Sequence, residues 1–308
     1  MNLAAKFGPS AWHHATFTAL FLLALAVLHN PLLILLRTSL GDDAHSSILL
    51  VLPLSALLLW RQRSQVLGPI QYSKLSSLVL LALLVLLIWV SKQAGSLQPE
   101  SWLALSTLLF SCWVIGAFAF CYGAPAFRSA YFPLLLLLLA GPLPESLRTR
   151  VIAFLQNGSA DAAGLLFQLA GVPFSRAGVI LTLPRVTIEI AQECSGIRSS
   201  VMLLIATLVI GHLFVRSMWS KAGLVLLFVP LMIAKNGLRI FVLSMLGMYV
   251  DPSFLTGRLH RNGGIVFFAL AFACTWGIAE LFQRIEARGR VSLPEHAPAS
   301  VVAAKNSA

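Results

Sequence analysis

The sequence predicts an all-α membrane protein, a polytopic helical bundle of about eight transmembrane helices. Hydrophobic residues make up 58% of the 308, charged residues only 11%, and the mean hydropathy is +0.86. These values are typical of polytopic membrane proteins and not of soluble domains. Several apolar runs approach the roughly 20 residues that a helix needs to cross the bilayer. Because these Leu-rich runs lack the alternating pattern of a membrane barrel, the spans are predicted to be helices.

Charge and cysteine content exclude two other classes of protein. The formal net charge is +11, but the basic residues are spread between apolar runs, without the clusters of a nucleic-acid site. The positive charge therefore indicates contact with a lipid bilayer and not with nucleic acid. Four cysteines in so apolar a chain do not indicate a disulfide framework. Three of them, Cys112, Cys121 and Cys274, are predicted to be small buried hydrophobic residues.

Five spans are predicted in the first half of the chain. The first is interrupted near its outer end by the sequence His29-Asn-Pro31, and Trp60 and Arg61 form an interfacial anchor at the end of the second. A loop containing Arg128 separates the fourth span from the fifth, and three prolines limit the length of the fifth. The predicted ranges are 16–36, 48–60, 75–91, about 102–121 and about 129–143.

The segment between the fifth and sixth spans is less apolar than the rest. From Glu145 to Gly171, hydrophobic residues recur at helical spacing among charged ones, which indicates a short amphipathic helix outside the bilayer. Two β-branched runs, 178–183 and 186–190, are separated by Pro184 and Arg185 and predict an external β-hairpin. This hairpin would lead directly to Cys194.

Three further spans are predicted at 196–214, 222–249 and about 265–282. The membrane domain is predicted to comprise residues 1–283, and the basic segment 284–308 to be a disordered cytoplasmic tail. The distribution of Lys and Arg around the short loops predicts a cytoplasmic N-terminus. In that orientation Cys194, Arg239 and His260 all lie on the external side of the membrane.

Cys194 differs from the other cysteines because it lies among polar residues, at the start of the sixth span. A cysteine becomes nucleophilic when a cation, a helix N-terminus or a base stabilises its thiolate. Gly196 opens the span and Arg198 follows closely, so Cys194 is a candidate nucleophile with Glu193 and Arg198 as accessory candidates. The alternative is a structural cysteine buried at a tight turn.

Three polar residues, Lys235, Asn236 and Arg239, are embedded in the seventh apolar run. Lys235 and Arg239 are four residues apart and therefore share one face of a helix. Ionisable groups at membrane depth usually face a polar cavity or a partner, because inserting them into hydrocarbon is unfavourable. Arg239 is accordingly a candidate site residue and Asn236 an accessory candidate. The alternative is that the helix ends near Ile233 and the three residues are merely interfacial.

Two loop segments contain histidines, one a candidate for acid–base catalysis and the other a candidate for metal binding. His260 precedes the last span and is able to act as a general acid and base at neutral pH, although an isolated interfacial histidine often has no special role. Asp42, Asp43 and His45 occupy one loop, but three residues without a second cluster favour a solvated loop over a metal site. No cofactor or metal is predicted.

Three motifs, in this order and each at the edge of a span, resemble the exosortases, the bacterial branch of the exosortase/archaeosortase family of membrane transpeptidases. The motifs are Glu193-Cys-Ser-Gly-Ile-Arg-Ser-Ser200, Asn236-Gly-Leu-Arg-Ile240 and Leu259-His-Arg-Asn-Gly-Gly264. Supporting similarity includes Gly141-Pro-Leu-Pro-Glu145, and the resemblance covers most of residues 40–283. The outer loop departs from the family pattern, since Ala44-His45-Ser-Ser47 retains only the histidine.

The resemblance implies a membrane-embedded cysteine peptidase or transpeptidase with a sortase-like Cys/Arg/His site on an all-helical fold. It implies that Cys194 is the nucleophile, that Arg239 stabilises the carbonyl or oxyanion, and that His260 transfers the proton. The implied substrates are secreted proteins with a tripartite C-terminal signal of Pro-Glu-Pro type. The implied acceptor is linked to surface polysaccharide or exopolysaccharide, and the implied location is the bacterial inner membrane.

Two other functions are compatible with parts of the sequence. A multi-pass transporter would also use intramembrane cations such as Lys235 and Arg239, although no internal repeat of the kind found in transporters is present. A non-catalytic component of envelope polysaccharide export would use the same polar residues only to bind a partner helix. Both alternatives predict that replacing Cys194 has little effect.

Overall fold

The apolar runs of the sequence fold as helices in a computed structural model, which describes residues 9–41, 46–66, 74–93, 96–191, 197–256 and 264–291. The all-α fold class is confirmed. In chain order the helices are α1 (Pro9–Val27), α2 (His29–Gly41), α3 (Ser46–Arg61), α4 (Arg63–Val66), α5 (Lys74–Ser91), α6 (Pro99–Leu136), α7 (Glu145–Leu169), α8 (Ile197–Phe214), α9 (Met218–Tyr249), α10 (Ser253–Thr256) and α11 (Gly264–Val291). A short 3₁₀ segment, Leu137–Ala140, follows α6.

The first predicted span is not one straight helix. Helices α1 and α2 are bent by 78° at the break between them, close to the predicted interruption. Pro31 has no backbone N–H, so the carbonyl of Val27 lacks its usual donor four residues on. The His29 Nδ1 atom lies 3.0 Å from the Ala26 carbonyl oxygen, so a side chain also contacts the backbone at this bend.

Helix α6 is a helical hairpin with its turn at Gly123. This residue has φ of 80° and ψ of 177°, a conformation that glycine adopts readily because it has no Cβ. Beyond the turn the chain runs back: Ser111 Oγ donates a hydrogen bond to the Leu137 carbonyl at 2.9 Å. A Cβ added to Gly141 would lie 3.1 Å from Thr107 Cβ. The two arms overlap the ranges 102–121 and 129–143, but the predicted loop around Arg128 is wrong, since residues 124–128 are helical.

Helices long and apolar enough to cross a membrane are found in several parts of the described chain. Pro99–Ala140, Met218–Tyr249 and Gly264–Arg288 meet this test by length and composition, and the bent pair α1 and α2 is a fourth if it forms one span. Shorter apolar helices are Leu50–Arg61, Leu78–Ser91 and Ser199–Phe214. Cys121 is buried and Cys112 half-buried, but Cys274 is exposed on α11, so its predicted burial is wrong.

A small antiparallel sheet follows α7 in the chain. Its strands are β1 (Ser175–Ala177), β2 (Ile180–Thr182) and β3 (Thr187–Glu189), in the order β1-β2-β3. Leu181 is paired with Ile188 across β2 and β3. One face of the sheet packs on α7 and α9, because buried Leu181, Leu183 and Ile190 share a core with Phe167 and Met248. The sheet is thereby fixed to the end of α9.

Helix α11 continues beyond the end predicted for the last span. It extends to Val291, so residues 284–291 are helical and not part of a disordered tail. The reason is a contact at the other end of the bundle: the Glu286 carboxylate accepts hydrogen bonds from the backbone N–H groups of Arg216 and Ser217, at 3.1 and 3.0 Å. These N–H groups lie just before α9 and have no acceptor within that helix. By binding Glu286 they attach the last turns of α11 to the start of α9.

Candidate active site

Arg239 lies in the second half of α9, beside a pocket formed by three elements. The pocket is lined by Ile188, Glu189 and Ile190 from the end of β3, by Arg239, Ile240, Leu243 and Ser244 from α9, and by Leu255 from α10. Its volume is about 370 Å³, including the part open to solvent. The lining is mainly apolar, so the polar groups of Arg239, Glu189 and Ser244 are the ones that can orient a ligand there.

The end of β3 is held against α7 next to this pocket. Gln156 Nε2 on α7 donates a hydrogen bond to the Ile190 carbonyl at 2.6 Å, and the Ile190 N–H donates to the Val179 carbonyl at 3.0 Å. Ile190 itself is 1% exposed. The chain therefore leaves the sheet from a fixed point, four residues before Cys194.

The first turn of α8 is attached to α9 by a hydrogen bond. Lys235 Nζ donates to Ser199 Oγ, and the Lys235 side chain is buried at 6% exposure. Lys235 lies one turn before Arg239 on the same face of α9. Ser199 is five residues after Cys194, so this contact fixes the chain on the other side of the cysteine.

Helix α10 leads to the segment that contains His260 and packs closely on α9. A Cβ added to Gly247 would lie 2.5 Å from Leu255 Cγ, so only glycine permits this approach. The Asp251 carboxylate accepts a hydrogen bond from the Ser253 N–H at 2.7 Å, which lowers the pKa of Asp251. Leu255 lines the pocket beside Arg239 and is five residues before His260.

Asn236 and Gly237 set the distance between α7 and α9. Asn236 Nδ2 donates a buried hydrogen bond to Ser159 Oγ at 2.9 Å. A Cβ added to Gly237 would lie 2.5 Å from Ala162 Cβ and 3.1 Å from the α7 backbone. Small residues and interhelical hydrogen bonds are the usual contacts between helices in membranes. The described contact gives Asn236 a packing role, and an accessory role at the site stays a prediction.

The structure brings one of the three predicted catalytic residues into a described site. Arg239 lies in the pocket. The alternative in which the seventh helix ends near Ile233 is wrong, since α9 continues to Tyr249. Cys194, Glu193 and His260 lie outside the described residues, as do Asp42, Asp43 and His45, and Arg198 belongs to α8 without a described side chain. Within the described ranges no three His, Cys, Asp or Glu side chains are grouped as a metal site would require.

Comparison with known proteins gives one match. The family model described as Transmembrane exosortase (Exosortase_EpsH) matches residues 36–277, a range that covers most of the chain and includes Cys194, Arg239 and His260. The chain belongs to the transmembrane exosortase family. No match is found among curated proteins or among solved structures.

Membership of the exosortase family implies a membrane-embedded sorting transpeptidase that acts on secreted substrates. Sequence patterns alone did not indicate several residues that build the candidate site. Ser199 lies inside one of the three motifs, yet only the folded chain reveals that it pairs with Lys235. Gln156 and Ser159 lie in none of the three motifs, and in the sequence they are only polar residues of an amphipathic segment. In the structure they lie on the α7 face that packs against the sheet and α9.

Proposed function

We propose that this exosortase is a cysteine transpeptidase that cleaves the C-terminal Pro-Glu-Pro-type signal of secreted proteins and transfers them to an acceptor linked to cell-surface polysaccharide or exopolysaccharide. Cys194 is the nucleophile, Arg239 stabilises the oxyanion, and His260 transfers the proton. The enzyme lies in the bacterial inner membrane with the site on its outer, periplasmic side. Glu193 and Arg198 are accessory candidates.

One observation carries this proposal: the chain segments on both sides of Cys194, and the one before His260, are anchored beside Arg239. Ile190 and Leu255 line the Arg239 pocket, and Ser199 binds Lys235 one turn away. An extended chain covers at most about 3.3–3.6 Å per residue, so Cys194 lies within about 14 Å of Ile190. The same limit keeps His260 within about 18 Å of Leu255.

Eight membrane crossings account for the helix arrangement. They are the bent pair α1 and α2, then α3, α5, the two arms of α6, α8, α9 and α11. With a cytoplasmic N-terminus, five crossings precede α7 and the sheet and seven precede the α9–α11 connection. Because both numbers are odd, the chain enters each of these segments from the outer side. The same count places Arg128, Arg216, Lys221 and Arg284 inside, in agreement with the preference of Lys and Arg for the cytoplasmic side.

The length of α9 supports an outer location for Arg239. Its 32 residues extend about 48 Å at 1.5 Å per residue, whereas the hydrocarbon core is about 30 Å thick. About 20 residues from Met218 cross this core, so Arg239 lies at its outer edge. The remaining turns project outward and pack against α7, the sheet and α10.

This arrangement suits acyl transfer. The Cys194 thiolate, stabilised by the N-terminus of α8, attacks a peptide carbonyl of the substrate and forms a C–S bond. The Arg239 guanidinium donates hydrogen bonds to the oxyanion, a type of contact usually worth about 2.7–4 kcal/mol. His260 gives a proton to the departing amine as the C–N bond breaks. It then accepts a proton from the acceptor nucleophile, which attacks the thioester carbonyl. The C–S bond breaks, Cys194 leaves as the thiolate, and the transfer is complete.

Mass spectrometry of the enzyme in membranes tests this mechanism. Wild type and Cys194→Ala are incubated with a reporter protein that ends in the tripartite signal. We expect wild type to shorten the reporter and to form a thioester adduct on Cys194, and the variant to do neither. Equal processing by Cys194→Ala would exclude the cysteine mechanism. Processing by neither protein would indicate the wrong substrate or a missing acceptor and leave the transporter alternative open.

A further inference from the structure

The hydrogen bond between Lys235 and Ser199 connects the first turn of α8 to α9, next to the proposed nucleophile. Lys235 is buried, and no described carboxylate lies within ion-pair distance of it. A buried lysine is costly unless it has a polar partner. The hydrogen bond to Ser199 provides such a partner, so the pair is a candidate for a role beyond simple packing.

Helices α8 and α9 run antiparallel, because only residues 215–217 separate them. Going outward from the Ser199 contact, α9 reaches Arg239 after four residues. The chain that enters α8 from the same side carries Cys194 five residues before Ser199. The hydrogen bond is thus a described contact between α8 and α9 that lies close along the chain to both Cys194 and Arg239.

We propose that Lys235 is a positioning residue for the cysteine segment: through Ser199 it holds the first turn of α8 against α9 and so aligns Cys194 with Arg239. This inference rests on the proposed function. Lys235 acts through Ser199 and does not take part in bond making or breaking. A misplacement of about 1 Å in such a site can reduce the rate by roughly 100-fold.

Two variants of Ser199 test the role of the hydroxyl at constant volume. Thr and Val have nearly the same shape and differ in the hydroxyl that Lys235 needs. We expect Ser199→Thr to retain kcat, and Ser199→Val and Lys235→Met each to lower kcat by roughly 10- to 100-fold. KM for the reporter should change little, because the variants alter alignment after binding. The double variant of Ser199→Val and Lys235→Met should be no slower than the slower single variant, since each substitution removes the same hydrogen bond.

A matched control is available on the same helix. Thr207 is buried, and its Oγ1 donates to the Leu203 carbonyl within α8 at 2.7 Å. Thr207→Val removes a buried hydroxyl without removing a contact between helices, so kcat should equal that of wild type. Melting temperatures in detergent identify any variant that fails to fold.

The outcomes separate this inference from the proposed function. Equal kcat for Ser199→Val and Ser199→Thr, with Cys194→Ala inactive, would exclude the positioning role and leave the cysteine mechanism intact. Processing by Cys194→Ala would exclude both. Alkylation of Cys194 by iodoacetamide provides a readout without substrate: we expect slower alkylation in Ser199→Val and Lys235→Met, and a rate equal to wild type in both would also contradict the positioning role.

Discussion

The two halves of α9 have the same secondary structure but different surroundings. In the N-terminal part, residues 218–234, nine of 17 residues are exposed on the protein surface. These include Trp219, Leu226 and Val229. From Lys235 to Met248 no residue is exposed. The N-terminal part is therefore exposed on one side and packed on the other, whereas the second part is enclosed by protein.

This difference indicates which part of α9 is held in a defined position. Lipid tails are as apolar as the side chains, so burial gives little driving force between helices in the bilayer. The second half of α9 contacts the sheet and α10 as well as α7, and Arg239 lies in this half. The candidate site belongs to the part of the molecule in which positions are fixed by packing and hydrogen bonds.

The largest expected contrast comes from truncating one side chain in each half. Met248→Ala removes a side chain from the core shared by α7, the sheet and α9 and should cost about 2–5 kcal/mol. Leu226 is 73% exposed, and Leu226→Ala should change stability by less than about 0.5 kcal/mol. Unfolding of both variants in detergent micelles measures the difference. Similar losses in the two variants would contradict the division of α9.

A smaller loss of stability is expected when a substitution forces α7 and α9 apart. Gly237→Ala adds a methyl group that would lie 2.5 Å from Ala162 Cβ, and overpacking of this kind usually costs about 1–3 kcal/mol. Gly211→Ala is the matched control, because its Cβ would meet only Leu224 Cδ2 at 3.5 Å. The melting temperature should fall for Gly237→Ala alone. A normal melting temperature would mean that α7 moves away from α9 without cost.

Much of the helical fold could be predicted from the sequence. The predicted ranges 48–60 and 75–91 correspond to α3 and α5, because the length of an apolar run directly determines a span. The position of the turn within α6 could not be predicted, since a single residue, Gly123, replaces a loop. The first strand, β1, was missed because Ser175-Arg-Ala177 has no β-branched residue and its formation depends on pairing with β2.

The candidate site was predictable only in part. Arg239 was indicated by its position inside an apolar run, and it lines a pocket in the structure. Its role stays a prediction. The contacts of Lys235 with Ser199 and of Gln156 with Ile190 join residues 36 and 34 positions apart. No local pattern specifies such pairs, because they depend on how α7, α8 and α9 pack together. The roles of Cys194 and His260 stay predictions.

A double-mutant cycle measures the hydrogen bond between Asn236 and Ser159. Pairs of this kind in membrane proteins contribute about 0.6 kcal/mol on average and at most about 1.7 kcal/mol. We expect the coupling free energy of Asn236→Ala with Ser159→Ala to lie in this range, from unfolding of the two single variants and the double variant. A coupling energy of zero would mean that the hydrogen bond does not stabilise the contact between α7 and α9.

The smallest effect is expected at the C-terminal end of α9, where the hairpin contacts it through Arg185. Its Nη1 atom donates to the Met248 carbonyl at 3.3 Å, and its Cζ atom lies 5.9 Å from the centre of the Tyr249 ring. An exposed cation–π contact contributes about 0.5–1 kcal/mol, so Arg185→Ala should barely change the melting temperature.

Local motion of the hairpin is a more sensitive measure of the Arg185 contact. Hydrogen exchange of the β2 and β3 amides should be faster in Arg185→Ala, because the sheet loses one of its attachments to α9. Arg185→Lys should give an intermediate rate, since lysine keeps the charge but not the planar guanidinium. Unchanged exchange in both variants would mean that the apolar face of the sheet alone fixes it to α9. In that case packing would be sufficient to hold the chain that leads from β3 to Cys194.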